Sequence, residues 1–342
     1  MSAASAILDP RASTTLDDFV LDVAWSPDGA QLAVLGGEGG VFLADVAQPK
    51  LTATRIGAHL LGGLALAWQP KQSSFVTSGQ DGHVIRWGSQ TRNETGRIGV
   101  RGAPTQQLAW SSDGKRLATA AGKTLSVWAE DATLLHRNAE HASSIAALCW
   151  DKPARDLAAA THGAIVIHRF DKTVSERQLK WPASCMTAAF SPNGKFLASG
   201  MGDGAVHFWY LSNARDSQMR GYPGKVLLTL WSDNSRYLAT GAGNEVVVWD
   251  FGGKGPEGSR PLQLSGHTER VTAMAWQSNG PYLVTGGDDW RLSLWRPGKA
   301  TRALDAHLTG APITALRWSP DGKLLAVGEK SGALAVYALV AV

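Results

Sequence analysis

The sequence predicts an all-β fold built from one repeated unit, and three observations carry that prediction. First, an aromatic followed by a polar turn recurs eight times, beginning at Trp25, Trp68, Trp110, Trp150, Phe190, Trp231, Trp276 and Trp318, at intervals of 43, 42, 40, 40, 41, 45 and 42 residues. Second, 38 Gly and 15 Pro break the chain into short apolar runs. Third, 12 of the 14 Trp fall at just two places in the unit, seven ending its first strand and five its third. A period of this length marks a repeat architecture, which overrides the expectation that a chain of 342 residues holds two or three domains. One domain spanning 1–342 is expected.

Each unit opens on an alternating run such as Val271-Thr-Ala-Met-Ala-Trp276, whose every second side chain faces one side. A Pro-Asp-Gly or Asn-Gly turn follows, where Gly and Asn accept positive φ. A small-residue strand comes next, as in Phe196-Leu-Ala-Ser-Gly200, and a tight turn leads to a third strand ending in Trp, as in Asp81-Gly-His-Val-Ile-Arg-Trp87. A more polar segment returns to the next unit. Four strands in about 42 residues leave no room for helices.

These residues resemble the WD-repeat family over essentially the whole chain. Trp249-Asp250 supplies the Trp-Asp dipeptide and Gly266-His267 the Gly-His. The resemblance implies a WD40-type β-propeller, with blades of four antiparallel strands around a channel. It also implies a buried hydrogen-bonding set, which matches fully at His59, Thr77, Asp81 and Trp87, and again at His267, Thr285, Asp289 and Trp295. The fifth unit keeps Ser199, Asp203 and Trp209 without the histidine, and Ala44, His168 and Tyr337 replace the strand-three Trp elsewhere. Eight units mean eight blades. The last runs out after its third strand, so residues 1–18, and Ile7 to Leu16 in particular, are expected to supply its outer strand and close the ring. Pro10 is compatible with an outermost strand.

Subtracting what the repeat demands leaves Trp181 and Trp290. Trp290 replaces the glycine of a tight turn, and Trp181 stands where a repeat histidine belongs, just before Pro182. Both are expected in connections on one face, where a Trp can bind a partner or lie flat on a neighbouring blade. Asp17, Asp18, Glu38, Glu269, Asp288 and Glu329 map to the same face of blades seven, eight and one, with Arg270 and Lys330 among them. An acidic arc of this kind suits a partner with a basic segment. The expected contacts are Trp290, Asp288, Glu269, Arg270, Trp181, Lys225, Glu38 and Glu329. Arg317 occupies a position that is Ala, Cys or Leu in the other seven units, which calls for a structural ion pair or a place on the channel wall.

The remaining motifs exclude more than they propose. His59, His141, His267 and His307 occupy or approximate the repeat position, and His83, His136, His162, His168 and His207 have no zinc-like spacing, so no metal and no cofactor are expected. Gly122-Lys123-Thr124 lacks the first glycine of a phosphate loop. A net charge of +4 with no basic run longer than two residues argues against nucleic acid. No apolar run reaches the ~18 residues of a membrane span, the start shows no secretory pattern, and two cysteines suit a reducing compartment, so a cytoplasmic monomer is expected. The function this supports is a non-enzymatic scaffold binding a partner protein or peptide on one face. The alternatives are a hydrolase or lyase with a site at the central channel, and an accessory role in metal homeostasis through a partner GTPase. The latter comes from the resemblance alone.

Overall fold

The computed structural model describes residues 6–46, 50–99, 103–171, 173–253, 255–298 and 301–341. Residues 1–5 of the closing segment and Lys254 of the Gly-rich connection lie outside them. The described residues contain no helix and form eight four-stranded antiparallel sheets. In the seventh blade the strands are Val271–Trp276, Leu283–Gly287, Arg291–Trp295 and Asp305–Leu308. In the fourth they are Ala147–Trp150, Asp156–Ala160, His162–Phe170 and Val174–Ser184.

The first strands touch one another in sequence around the centre, and the first strand of blade eight touches that of blade one, so the sheets form a closed ring. The seam lies inside blade eight, where Ala6–Thr15 pairs antiparallel with Ala333–Ala341. A bulge between Pro10 and Ala12 accommodates the proline, which has no N–H for the ladder. Ala6 and Leu8 are buried with blade-seven and blade-eight side chains, and the Leu8 amide donates to Asp305 of blade seven at 2.8 Å. The closing strand is therefore held by backbone pairing, apolar burial and one long-range polar contact.

The repeat's aromatic and turn both have physical roles. After the aromatic, the serine hydroxyl donates to the Asp or Asn two residues on, as in Ser319 to Asp321 (2.6 Å) and Ser191 to Asn193 (2.8 Å). That side chain in turn accepts a backbone amide of the turn, Lys323 N in one case and Lys195 N in the other. The first-strand Trp rings pack in the sheets' core, and five of the seven also join neighbouring blades by a hydrogen bond. Trp25 donates to the carbonyl of Arg317 (2.9 Å), Trp150 to Ala109 (3.0 Å), Trp231 to Ala189 (3.0 Å), Trp276 to Leu230 (3.2 Å) and Trp318 to Ala275 (3.3 Å). Each acceptor is the residue just before the preceding blade's own aromatic. Spacing alone marks these rings as packing residues; the structure adds an interblade hydrogen bond.

The same geometry explains Arg317. Its carbonyl serves Trp25, while its guanidinium turns to Asp22 of blade one at 3.1 Å. Burial raises the Asp22 pKa, and the Arg317 charge opposes the rise. The pair joins the first and last blades across the ring closure.

Candidate functional site

In each blade the turn between second and third strands lies at the same end as the connection to the next blade. That end is the face on which most of the sequence-selected contacts lie. In blade seven the turn is built around a relay. Trp295 Nε1 donates to Thr285 Oγ1 (2.9 Å), Thr285 donates to His267 Nε2 (2.7 Å), and His267 Nδ1 donates to Asp289 (3.0 Å). Asp289 also accepts the amides of Thr268 and Arg291. This is the assignment of protons that gives every atom a partner. Blade two repeats it through Trp87, Thr77, His59 and Asp81 at 2.8, 2.8 and 3.1 Å. Burial depresses the His59 pKa against the pull of Asp81. For Asp81, burial works upward, but the amides of His83 and Leu60 and the His59 ring outweigh it. In a relay closed in this way both imidazole nitrogens and the hydroxyl proton are already engaged.

On top of the blade-seven relay sits Trp290. Its φ is +63°, the left-handed region, where the equivalent residue of blade two is Gly82 at +76°. A bulky side chain there is strained by roughly 1–2 kcal/mol. The ring is 49% exposed, so packing returns only part of that strain. Its carbonyl accepts the Thr309 amide at 2.8 Å, and Leu308, the residue before Thr309 and paired with Arg291, is 76% exposed. Arg270 pairs with Asp288 at 3.0 Å, and Glu269 is exposed in the same connection. Trp290, Asp288, Glu269 and Arg270 are thus one patch, while Glu38 and Lys225 are exposed on the same face in the blade-one turn and the connection into blade six.

Three expectations for this face are corrected. Glu329 is buried and accepts the Ser331 hydroxyl at 3.0 Å, so it is a turn residue rather than a contact. Asp18 is also buried, its carboxylate accepting the amides of Glu38 and Gly40 where blade one lacks the repeat aspartate. With Asp17 paired to Arg55 and Asp288 to Arg270, the acidic arc reduces to Glu38 and Glu269. Trp181 is not in a rim connection. It sits at a bulge in the outer strand of blade four, half-buried, with its ring 4.0 Å from the buried His207 ring of blade five. It occupies the missing histidine's slot and fills it by stacking.

The sequence did not single out the leucines. Leu60 and Leu61 are 86% and 66% exposed in the connection into blade two, and Leu227 is exposed in the one into blade six. The signal was present in His59-Leu-Leu-Gly62, where the repeat has a polar loop. The opposite face carries a cleft of about 890 Å³ between blades four and five, lined by Asp151, Arg155, Asp156, Arg169, Lys195 and Tyr210. Its central acid is already taken, since Asp156 accepts Arg169 through two hydrogen bonds.

Blade four departs furthest from the relay. Ala159 stands at the hydroxyl position and His168 at the Trp position, so His141 Nε2 meets His168 Nε2 directly at 3.2 Å. His168 lies opposite Glu176 in the strand register, and ligand-type atoms of His136, His168 and Glu176 lie within 4.8 Å of one another. His136 comes from the outer strand of blade three, Leu134–Asn138. Burial pushes His168 down to about 4, with Glu176 opposing and the other two histidines adding to the fall. His307, by contrast, is on an outer strand and contacts Asp305 at 2.9 Å, not at a relay position.

Comparison with known proteins agrees with this architecture. A family model described as "WD domain, G-beta repeat" matches residues 103–129, 176–210, 258–296 and 298–337. The B-type cell cycle switch protein ccs52A of Medicago truncatula is 28% identical over 247 residues, covering 68% of this chain and 50% of that protein. Protein FIZZY-RELATED 2 of Arabidopsis thaliana is 27% identical, covering 68% and 49%. An Arabidopsis protein named "Cell division cycle 20.6, cofactor of APC complex" is 26% identical, covering 69% and 50%. The chain spans about half the length of these relatives. Among solved structures, the computationally designed Ika8 protein superposes with a TM-score of 0.81 at 20% identity over 96% of this chain and 99% of its own. The C-terminal WD40 domain of Sif2 gives 0.79 at 17% identity over 97% and 98%. Both likenesses speak to the fold.

Proposed function

The chain is a WD-repeat β-propeller, and from that premise we propose that it is a non-enzymatic platform binding a partner protein or peptide on the face that carries Trp290. One observation carries this reading: an aromatic ring held half-exposed by a left-handed backbone that a glycine would adopt without strain. Strain retained at an exposed position points to a use outside the fold. Trp290 and Leu308 form the apolar centre of such a contact, because a Trp buries a large area at small entropic cost. Glu269 beside them and Glu38 further round the face favour a basic residue next to the partner's apolar anchor.

The relatives support the class of function. One is named as a cofactor of a complex, a role exercised through protein contact. The acid–histidine–hydroxyl sets are closed into relays, which argues against their serving a channel hydrolase or lyase. Two free cysteines, one buried and one half-buried, fit a cytoplasmic setting.

The test is affinity capture from native lysate with wild type, Trp290→Ser and Leu308→Asp side by side, read by quantitative mass spectrometry. The reading expects a protein retained by wild type and depleted at least tenfold by both variants. A partner retained equally by all three would place the docking surface elsewhere.

A further inference from the structure

We propose that His136, His168 and Glu176 form a binding site for a divalent transition metal, zinc by donor chemistry, at the junction of blades three and four. This site is independent of the Trp290 face and of its partner.

Blade four has lost the groups that close the relay elsewhere. With Ala159 in place of a hydroxyl and His168 in place of an indole, the relay cannot close, and three imidazoles share the slot. His136 Nε2 and His168 Nδ1 are buried and have no hydrogen-bond partner among the described residues. His168 is fully buried, so its orphan nitrogen cannot turn to water. Unpaired buried polar atoms are costly, and these two lie within ligand distance of one carboxylate, that of Glu176.

The proton inventory sharpens the point. The 3.2 Å contact between His141 Nε2 and His168 Nε2 requires one proton between them. If His168 supplies it, His168 Nδ1 carries a bare lone pair facing a Glu176 carboxylate oxygen at 3.2 Å, acceptor against acceptor. If His141 supplies it, a proton on His168 Nδ1 points away from hydrogen-bond alignment with that same oxygen. A cation between the groups resolves the first arrangement. Zinc bonds of about 2.0–2.1 Å at tetrahedral angles put ligand atoms about 3.3 Å apart, close to the observed His168–Glu176 separation.

The surroundings fit a metal's outer shell. Asn138 donates to Glu176 Oε1 at 2.7 Å and orients the carboxylate. His141 accepts the far N–H of His168, fixing its tautomer, as outer-shell partners of metal-bound histidines do. Two imidazoles and a carboxylate suit zinc, cobalt or nickel better than magnesium or calcium. The partly exposed Glu176 gives the ion a way in and leaves a fourth position for water.

The experiment titrates the purified full-length chain, stripped with chelator, with Co²⁺ followed by visible absorption, then with competing Zn²⁺. The proposal expects one equivalent bound with the intense bands of a tetrahedral site, displaced by zinc. His136→Gln and Glu176→Gln should each weaken binding at least tenfold, while Glu140→Gln, an exposed acid outside the cluster, leaves it unchanged. His136 and Glu176 sit on outer strands, so both variants are expected to fold, as circular dichroism would check. Zn²⁺ should also raise the melting temperature of wild type and not of the His136→Gln/Glu176→Gln double variant. Absence of saturable one-equivalent binding, or equal affinity in wild type and variants, would overturn the proposal.

Discussion

Blades seven and four have the same strand plan and opposite interiors. In blade seven, Trp295, Thr285, His267 and Asp289 form a chain in which each donor meets one acceptor. In blade four the hydroxyl is Ala159, the indole is His168, the shorter turn between them holds no aspartate, and the polar atoms that remain face one another without closing. The backbone ladder is the same in kind, as Leu283 pairs with Trp295 and Leu157 with His168. What distinguishes the blades is satisfaction of buried polar groups, which decides whether an interior is rigid or open to a ligand. The fold tolerates blade four because its sheet is held on both sides by ring neighbours; the ring supports what the blade lacks.

The largest effect that tests this contrast comes from blade seven. Trp295 is fully buried, and Trp295→Ala should lower the unfolding free energy by about 3–5 kcal/mol in urea titration. His168→Ala should cost clearly less, since it removes a smaller ring with unpaired atoms. Equal losses would mean that blade four is as tightly satisfied as blade seven. Next in size is Thr285→Val, which keeps the shape and strands both Trp295 Nε1 and His267 Nε2; about 1–3 kcal/mol should be lost.

A pH scan sharpens the comparison further. His168 is pushed down to about 4, and His141 and His59 are lowered by burial, so the unfolded chain binds protons more readily than the folded one. Stability is then fully present above about pH 6.5 and falls as pH drops toward 4. With chelator present, denaturation midpoints should fall between pH 7 and pH 5, and His168→Gln should flatten the dependence. An unchanged slope in that variant would remove blade four as its source. The smallest effect belongs to the surface of blade seven. Trp290→Gly relieves a left-handed backbone, so stability should be unchanged or rise by up to about 1 kcal/mol while partner capture falls.

The ring was legible in the sequence because the repeat is local: each strand, turn and aromatic spacing lies within about 42 residues, and counting units also located the missing outer strand. What sequence reasoning missed depends on contacts between units. Trp181 is settled by His207, 26 residues on and in the next blade. Asp18 and Glu329 look like rim charges until their turns fold back over them. The histidine cluster draws on three strands of two blades, so no spacing rule reveals it. Trp290 was legible for the opposite reason, since it breaks a local glycine rule within a single turn.

The central claim, that the Trp290 face is where a partner docks, is tested most directly by site-specific photocrosslinking in cells. A photoreactive phenylalanine derivative would be placed at position 290 and, separately, at Lys323, an exposed turn residue on the opposite face. The account predicts a discrete protein adduct from position 290 that is absent from position 323. An adduct from 323 with none from 290 would contradict it.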